Sequence, residues 1–419
     1  MESSILFYPI LLISLYFFIF KKLENIFYFF LFSTPFTATS LLNIGNISIS
    51  FPIFIGLFLI FKYFIEVFKN RKMKKIYINK FLFIFIFCCI LSVFSPLYIT
   101  SDFKITTNLG DEFLNYHFIT KTSSIISHIL YLSYCYILYL ITISCIDIKY
   151  IPLFKIINIY KKSFYLICIF TICEIVVYKL GMTKEFNQIF KMNESTMLQG
   201  YGSFLRIAGP NLEPSMFSIY LLVSLGIFYF TKENFSLVLA LFLGLLSTSS
   251  SFILGLGIYF IIFLFRRKKK EYIKIVFLII GIIIFTLIII RLFPQLEKLF
   301  TGILDKISGE GVSGSDRKFN MLQHLLVSVS INPFLGIGYG VARSKDLITT
   351  WLVNVGYIGV ISFTIALFKS TINKKNKRKK FIGVTLIVAF IVEFISVPEP
   401  YFLYLWCLWG VLDSKIETV

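Results

Sequence analysis

The side chains best suited to chemistry lie in one short segment, RIAGPNLEPS, at residues 206–215. A cation, a Gly-Pro pair and a carboxylate meet there at the start of an apolar stretch. Proline is well placed in the first turn of a helix, so Glu213, just before Pro214, would lie near the positive end of a helix dipole. Arg206 and Glu213 are therefore candidates for a site at the mouth of a hydrophobic span. In the simpler interpretation, Glu213 and Pro214 only begin a helix, and Arg206 reaches lipid headgroups.

A second group of candidates lies further along the chain. Arg317 begins an amphipathic segment and His324 follows two turns later, while Arg343 and Lys345 follow a glycine-rich stretch. Together with Arg206, these residues would form a cluster of cations on one side of a membrane. Because the planar guanidinium matches phosphate oxygens, such a cluster indicates an anionic ligand such as a pyrophosphate. The alternative is that each cation contacts the phosphates of lipids.

Carboxylates inside apolar stretches form a third set of candidates. Glu174 and Glu393 each lie within a predicted span. An ionisable group at membrane depth is costly, which makes it a functional hypothesis by default. Glu66 has Lys62 one turn away, and an ion pair between them would explain it. His117 and His128 lack sequence neighbours that suggest a site.

Composition identifies the kind of scaffold that must position these residues. Of 419 residues, 57% are hydrophobic and 15% are charged, and the mean hydropathy is +0.84. Soluble domains are about one quarter charged, so this excess of apolar residues predicts a protein solvated by lipid. The seven cysteines lie within or at the ends of apolar segments, a pattern that indicates neither a disulfide framework nor a metal site.

The net charge of +19 would suggest nucleic acid in a soluble protein, but the position of the charge argues against it. The densest basic runs, at residues 69–80, 266–270 and 374–380, separate apolar stretches. Short basic loops between hydrophobic spans are typical of cytoplasmic loops. We therefore predict that nucleic acid is not a partner and that these loops, with Lys161 and Lys162, face the cytoplasm.

The predicted fold class is an all-α, polytopic transmembrane bundle of about 12 or 13 spans, because a span needs roughly 20 apolar residues. Residues 5–20 are interpreted as a retained first span and not as a removed signal peptide. The stretches long enough to span, or nearly so, are residues 5–20, 25–42, 51–68, 81–98, 122–145, 163–181, 214–231, 235–249, 251–265, 273–291, 348–369, 381–397 and 401–413.

The chain is predicted to form a single transmembrane domain over residues 1–419, with larger outer loops at 99–121, 182–213 and 292–347. The last is the longest polar stretch, and loops carry function more often than scaffolds do. Within it, residues 317–330 place apolar side chains on one face of a helix. We expect this helix to lie half-buried at the membrane surface or over a cavity.

Four motifs carry a resemblance to a known family. RIAGPNLEPSMFS, then an apolar span, then LSTSSS at residues 246–251, resembles the central region of O-antigen polymerases. A long outer loop that closes with NPFLGIGYG (332–340), followed by a span that contains NVGYIGVISF (354–363), resembles the second half of the O-antigen polymerase and ligase superfamily. The resemblance covers residues 200–370 in motifs and the whole chain in topology.

The resemblance implies a metal-independent glycosyltransferase, without a cofactor, in the bacterial cytoplasmic (inner) membrane. It would join oligosaccharide repeat units carried on undecaprenyl pyrophosphate at the outer face, lengthening O-antigen (lipopolysaccharide), capsule or exopolysaccharide. The family's arginines map onto Arg206 and Arg317, which would stabilise the departing pyrophosphate. Its carboxylate maps onto Glu213, which would be the general base. Arg343, Lys345 and His324 would assist in binding the substrate.

The implied partners are the lipid-linked oligosaccharide and membrane lipids, with a chain-length regulator and a flippase as further candidates. Related ligases carry a histidine just before the span that follows the long loop, whereas residues 342–351 read ARSKDLITTW, which favours a polymerase. A ligase and a non-enzymatic flippase stay as alternatives. A flippase would need cations within its spans, and few are present. The chain also lacks a Walker-type phosphate loop and a GxSxG elbow.

Overall fold

The computed structural model describes residues 2–44, 47–70, 78–99, 104–106, 116–118, 124–149, 151–190, 200–201, 204–266, 291, 312–372 and 376–415. Within these ranges the chain is an all-α bundle, as the composition predicts. Its helices are α1 (Phe7–Phe20), α2 (Leu23–Ser33), α3 (Phe51–Asn70), α4 (Lys80–Ser92), α5 (Ser124–Lys149), α6 (Leu153–Lys179), α7 (Thr183–Phe190), α8 (Pro214–Thr231), α9 (Asn234–Leu246), α10 (Ser250–Arg266), α11 (Val312–Ser330), α12 (Leu347–Ile372), α13 (Lys377–Ser396) and α14 (Leu403–Asp413).

The strands are short and antiparallel. They are β1 (Glu2–Ser3), β2 (Ser40–Ile44), β3 (Ile47–Ser50), β4 (Lys104–Thr106), β5 (Tyr116–Phe118), β6 (Gly200–Tyr201) and β7 (Phe204–Leu205). The strand β2 pairs with both β1 and β3, and the others form two separate pairs, β4 with β5 and β6 with β7. In the β2–β3 hairpin, Asn43 lies opposite Ser48. These strands connect helices and form no layer of their own.

The protein is a multi-pass membrane protein. Six helical segments are long and apolar enough to cross a bilayer: α3, α4 with the turn that continues it to Leu97, α5, α6, α8 and α12. The helices α1, α2, α9, α10 and α14 are shorter and apolar. Large apolar side chains point away from the bundle, among them Leu12, Phe61 and Phe235, each more than half exposed. Lipid can solvate such side chains, whereas water cannot do so at low cost.

The helix α8 lies at the centre of the bundle. It packs against α9, α10 and α13, and 78% of its apolar stretch is buried inside the protein. The rings of Phe230 and Phe381 lie 4.9 Å apart, and Gly226 lies against Thr385, so α8 and α13 run antiparallel. The start of α8 and the end of α13 therefore lie at the same end of the bundle.

The bundle has two chemically distinct ends. The "loop end" carries residues 34–50, 204–213, 247–249, 331–346 and 397–402, and the "basic end" carries residues 21–22, 151–152, 232–233 and 413–415. At the basic end, Lys149 pairs with Glu66 at 3.0 Å and Lys161 pairs with Glu233 at 2.7 Å. The prediction that Lys62 pairs with Glu66 is therefore wrong, and Lys62 donates to Phe18 O instead.

Two predicted spans differ from the structure, and a third is not described by it. The stretch at 25–42 is helical only to Ser33, because Pro35 follows and the strand β2 begins at Ser40. The stretch at 163–181 begins ten residues earlier, at Leu153, so Lys161 and Lys162 lie in α6 and not in a turn before it. The predicted span at 273–291 lies outside the described residues except for residue 291.

The helix α12 is broken at Gly356, where φ is +73° and ψ is −179°. The NPFLGIGYG segment packs into this break and replaces the lost helical hydrogen bonds. Ile337 N donates to Val353 O at 2.8 Å, and Tyr357 N donates to Pro333 O at 2.8 Å. Because unpaired backbone groups are costly inside a bilayer, these bonds explain how a membrane helix tolerates the interruption.

Candidate functional site

Two of the four motifs meet at Arg206. Its Nε donates to Thr248 Oγ1 at 3.0 Å, and one terminal nitrogen lies 3.5 Å from Thr248 O. Thr248 lies in the LSTSSS motif and has φ of +46°, a conformation that is strained for a β-branched residue. Ser218 and Ser247 reinforce the contact, with hydroxyl oxygens 3.4 Å apart. The arginine is half-buried and is positioned by a turn between two membrane helices.

The segment around Arg206 is fixed by three hydrogen bonds from two elements, α6 and the turn before β2. Gly209 N donates to the carboxylate of Glu174 on α6 at 2.9 Å. Ala38 N donates to Pro210 O at 2.9 Å, and Thr37 Oγ1 donates to Asn211 Oδ1 at 2.9 Å, both from the turn before β2. Glu174 is 2% exposed, so its hydrogen bond to the backbone gives this membrane carboxylate a structural role.

Glu213 lies at the N-cap of α8, with Pro214 in the first turn, as the sequence predicts. Its side chain does not cap the helix. The carboxylate is exposed and accepts a hydrogen bond from Ser215 Oγ at 2.9 Å. Glu213 is thus open to a ligand at the loop end, on the same segment as Arg206.

A second cluster lies beside the other two motifs, and Tyr339 of NPFLGIGYG belongs to it. We call it the Arg343 cluster: His128, Tyr339, Arg343, Glu399 and Tyr401. Arg343 donates to the carboxylate of Glu399 at 2.5 Å. The cluster lines a cavity of about 20 Å³, a volume sufficient for roughly one water molecule. Trp351 and Asn354 of α12 complete its wall together with Pro398 and Pro400.

A hydrogen-bonded chain runs through the Arg343 cluster. Tyr401 Oη lies 2.7 Å from His128 Nδ1 and 3.1 Å from Tyr339 Oη. A tyrosine hydroxyl has one proton, so if Tyr401 donates to Tyr339, His128 must carry its proton on Nδ1. Burial raises the pKa of both Tyr339 and Tyr401 well above the ordinary value, so both hydroxyls stay protonated at neutral pH.

Asn354 and Asp346 hold the segment that carries Arg343. Asn354 Oδ1 accepts from Ala342 N at 2.9 Å, and its Nδ2 donates to Ala342 O at 2.7 Å. Asp346 accepts from Thr349 N at 2.8 Å and from Ser344 Oγ at 3.0 Å, capping the start of α12. These buried bonds fix the backbone on both sides of Arg343.

The remaining predicted site residues lie elsewhere. His324 is fully buried in α11 and its Nδ1 lies 2.7 Å from Asn320 O, so it faces the protein and not solvent. Lys345 is half-buried in the turn before α12. The backbone of Arg317 lies in α11, and its side chain lies outside the described residues.

The helix predicted over residues 317–330 is present within α11, and it is its polar side that packs against the protein. Its apolar side chains are exposed: Phe319 by 59%, Leu322 by 51%, Leu326 by 69% and Val329 by 61%. The polar residues Asn320, His324 and Ser328 face the protein and are buried. This arrangement fits a helix whose outer side is covered by lipid.

Sequence reasoning missed three residues of these clusters. Glu399 and Tyr401 lie in the short PEPY segment between α13 and α14, where a carboxylate between two prolines was the available signal. His128 gains its partners only through tertiary contacts with Tyr339 and Tyr401.

Arg206 and Arg343 lie at the same end of the bundle, and the cavity beside Arg343 is not lined by Arg206 or Glu213.

Among the described residues, no group of three or more His, Cys, Asp or Glu side chains is arranged to hold a metal ion. The side chains available to a ligand at the loop end are therefore cations, carboxylates and hydroxyls.

Comparisons of the chain with models of known families, with characterised proteins and with solved structures find no match.

Proposed function

We propose that this protein is a membrane-embedded glycosyltransferase that lengthens a polysaccharide. Its substrate would be an oligosaccharide linked through pyrophosphate to a polyisoprenoid lipid such as undecaprenyl, and its location the cytoplasmic membrane of a bacterium, with the loop end outside. The observation that carries the proposal is the contact of Arg206 with Thr248, because it joins two motifs that resemble those of O-antigen polymerases.

The chemistry available at the loop end suits this reaction. A lipid pyrophosphate is a leaving group that needs no nucleotide, and a guanidinium can stabilise the charge that develops on it. Arg206 has this role in the proposal, with Arg317 as the second arginine. The exposed carboxylate of Glu213 accepts the proton of the attacking sugar hydroxyl. Arg343 and Lys345 bind further phosphate or sugar oxygens.

The described residues fit a flippase for the same lipid less well than they fit a glycosyltransferase. Carrying a pyrophosphate across the bundle requires cations along its interior. Within the described ranges, Lys379 is the one lysine or arginine that is buried, and it donates to the carbonyl of Ser414 at the basic end. The interior of the described bundle thus offers little for a diphosphate.

The test compares two cations at opposite ends of the bundle. Purified protein in liposomes receives an isoprenyl-pyrophosphate-linked repeat unit, and product length is read from a gel. Arg206→Ala should lower the rate of elongation by roughly 10²–10³-fold, the loss typical of a removed oxyanion-stabilising donor. Lys161→Ala, which removes a paired cation from the basic end, should keep the wild-type ladder.

An unchanged ladder for Arg206→Ala would remove this residue from the site. In cells, a polymerase mutant should carry a single repeat unit on its surface. Loss of all outer-face repeat units, with no single-unit product, would identify a flippase instead. Polymer that forms at full length but stays on the lipid carrier would identify a ligase.

A further inference from the structure

A carboxyl group without a partner lies inside the bundle at Glu393. The residue is on α13, three positions before the helix ends, and it is 0% exposed. Both of its carboxyl oxygens are buried and accept no hydrogen bond from the described residues. Glu174 provides the contrast, since it is equally deep in the protein but accepts a hydrogen bond from Gly209 N.

A second orphaned polar group accompanies Glu393. The hydroxyl of Tyr404 on α14 is buried and has no hydrogen-bond partner among the described residues. Tyr404 is close enough to Glu393 to interact with it electrostatically. Its ring packs edge to face against that of Tyr220 on α8, with centroids 5.5 Å apart, and the Tyr220 hydroxyl lies beside those of Tyr160 and Ser224. Helices α13 and α14 thus bring together two polar groups, Glu393 and Tyr404, that form no hydrogen bond with the described residues.

The charge state of Glu393 follows from its surroundings. An unpaired carboxylate in an apolar interior is far less stable than the neutral acid, which still needs hydrogen bonds but carries no charge. The buried lysine of the described bundle, Lys379, lies at the basic end and donates hydrogen bonds to Ser414. No described cation therefore compensates an ionised Glu393.

We propose that Glu393 is a proton-binding site within the bundle, with its carboxyl group protonated and bridged by water to the hydroxyl of Tyr404. Water is the ligand that most commonly satisfies several buried polar groups at once. The site is independent of the proposed glycosyl transfer. A carboxyl that exchanges a proton at membrane depth makes the packing of α8, α13 and α14 dependent on pH.

The groups that face Glu393 are weak acids and not bases. Glu399 beyond the end of α13 interacts with it electrostatically and is paired with Arg343. The helices α8, α10, α12 and α14 pack against α13. Of their described residues, Tyr404 on α14 interacts electrostatically with Glu393, and Tyr160 on α6 interacts in turn with Tyr404. Tyr259 on α10 lies beside Gly226 and Thr385, about two helical turns from Glu393. Tyr160 Oη lies 3.5 Å from Ser224 Oγ, and Tyr259 Oη donates to Leu222 O, so both hydroxyls have hydrogen-bond partners of their own.

The test uses dicyclohexylcarbodiimide, an apolar reagent that reacts with protonated carboxyl groups. The full-length protein in detergent is treated at neutral pH in sodium-free potassium buffer, and peptides are mapped by mass spectrometry. We expect an adduct on Glu393 and none on Glu174. Glu393→Gln should lose this adduct, whereas Glu174→Gln should keep it. Mapping the wild-type protein locates the adduct even if a variant folds poorly.

Added sodium chloride separates a proton from a metal cation as the occupant. Labelling that is unchanged by sodium supports the proton site. Protection of Glu393 by sodium would overturn the proposal and identify a cation site instead. Absence of an adduct on Glu393 down to pH 5 would also overturn it, because the carboxyl would then be ionised or engaged.

Discussion

Asn354 forms two hydrogen bonds with the backbone of Ala342, accepting from its N–H at 2.9 Å and donating to its carbonyl at 2.7 Å. Asn354 precedes the break at Gly356 in α12 by two residues, and Ala342 precedes the arginine of the Arg343 cluster. This one side chain therefore connects the interrupted membrane helix to the candidate binding residue.

Replacing Asn354 with alanine should destabilise the protein by about 2–4 kcal/mol, because two buried backbone groups lose their partners. The measurement is the loss of monodisperse protein on heating in detergent, followed by size exclusion. Thr364→Ala is the matched control, since Thr364 on the same helix bonds only within its own turn, to Val360 O, and should change stability little. Equal midpoints for the two variants would contradict the prediction.

Gly336 should not tolerate a side chain. Its φ is +71°, and an added Cβ would lie 2.4 Å from the carbonyl carbon of Asn354. Gly336→Ala should cost about 2–5 kcal/mol, from the left-handed backbone and the overpacking together. Gly257→Ala, on α10 with open space around it, should be neutral or gain up to about 1 kcal/mol. A Gly336→Ala variant as stable as the wild type would refute the tight packing at the break.

Arg343→Ala should affect substrate binding more than stability. Arg343 is 44% exposed, and an exposed ion pair such as that with Glu399 contributes about 0–1 kcal/mol. If Arg343 binds a phosphate, its loss should raise KM for the lipid pyrophosphate by about 10–100-fold. Glu399→Gln, which frees the arginine without removing it, should leave KM unchanged or lower. An unchanged KM in Arg343→Ala would exclude Arg343 from binding.

The tyrosines of the Arg343 cluster predict a pH dependence at the alkaline limit. Burial raises the pKa of Tyr401, so the folded state holds its proton more tightly than the unfolded state does. Stability from this group is complete below about pH 10, the unfolded value, and is lost as the pH rises above it. Tyr401→Phe should therefore reduce the fall of the melting temperature between pH 9 and pH 11. An identical slope in wild type and variant would be inconsistent with a buried, protonated Tyr401.

Helices such as α3, α8 and α14 follow directly from long apolar stretches, and their predicted bounds nearly match the structure. The stretch at 25–42 shows where this argument fails, because apolar composition cannot distinguish a helix from the hairpin strands at residues 40–50. Lys161 and Lys162 indicated a turn, yet they lie in α6, since Lys161 can reach Glu233 from within a helix.

The candidate site was predictable only where its residues are neighbours in the sequence. The position of Glu213 before Pro214 is local and was correct, whereas the contact of Arg206 with Thr248 joins residues 42 positions apart. Glu399 and Arg343 are 56 positions apart, and no periodicity brings them together. The polar face of α11 was identifiable from sequence, but which face meets the protein depends on whether water or lipid lies outside.

The orientation of α11 indicates where the loop end lies relative to a bilayer. Its inner side packs through Val327 in a cluster with Ile337 and Val341, while Phe319 and Leu326 point outward. Such a helix settles at the boundary between acyl chains and headgroups. The turn that carries Arg343 follows this helix, so a bilayer positioned by α11 would bring the lipid phosphates close to this guanidinium. A membrane-anchored diphosphate could meet it without leaving the leaflet.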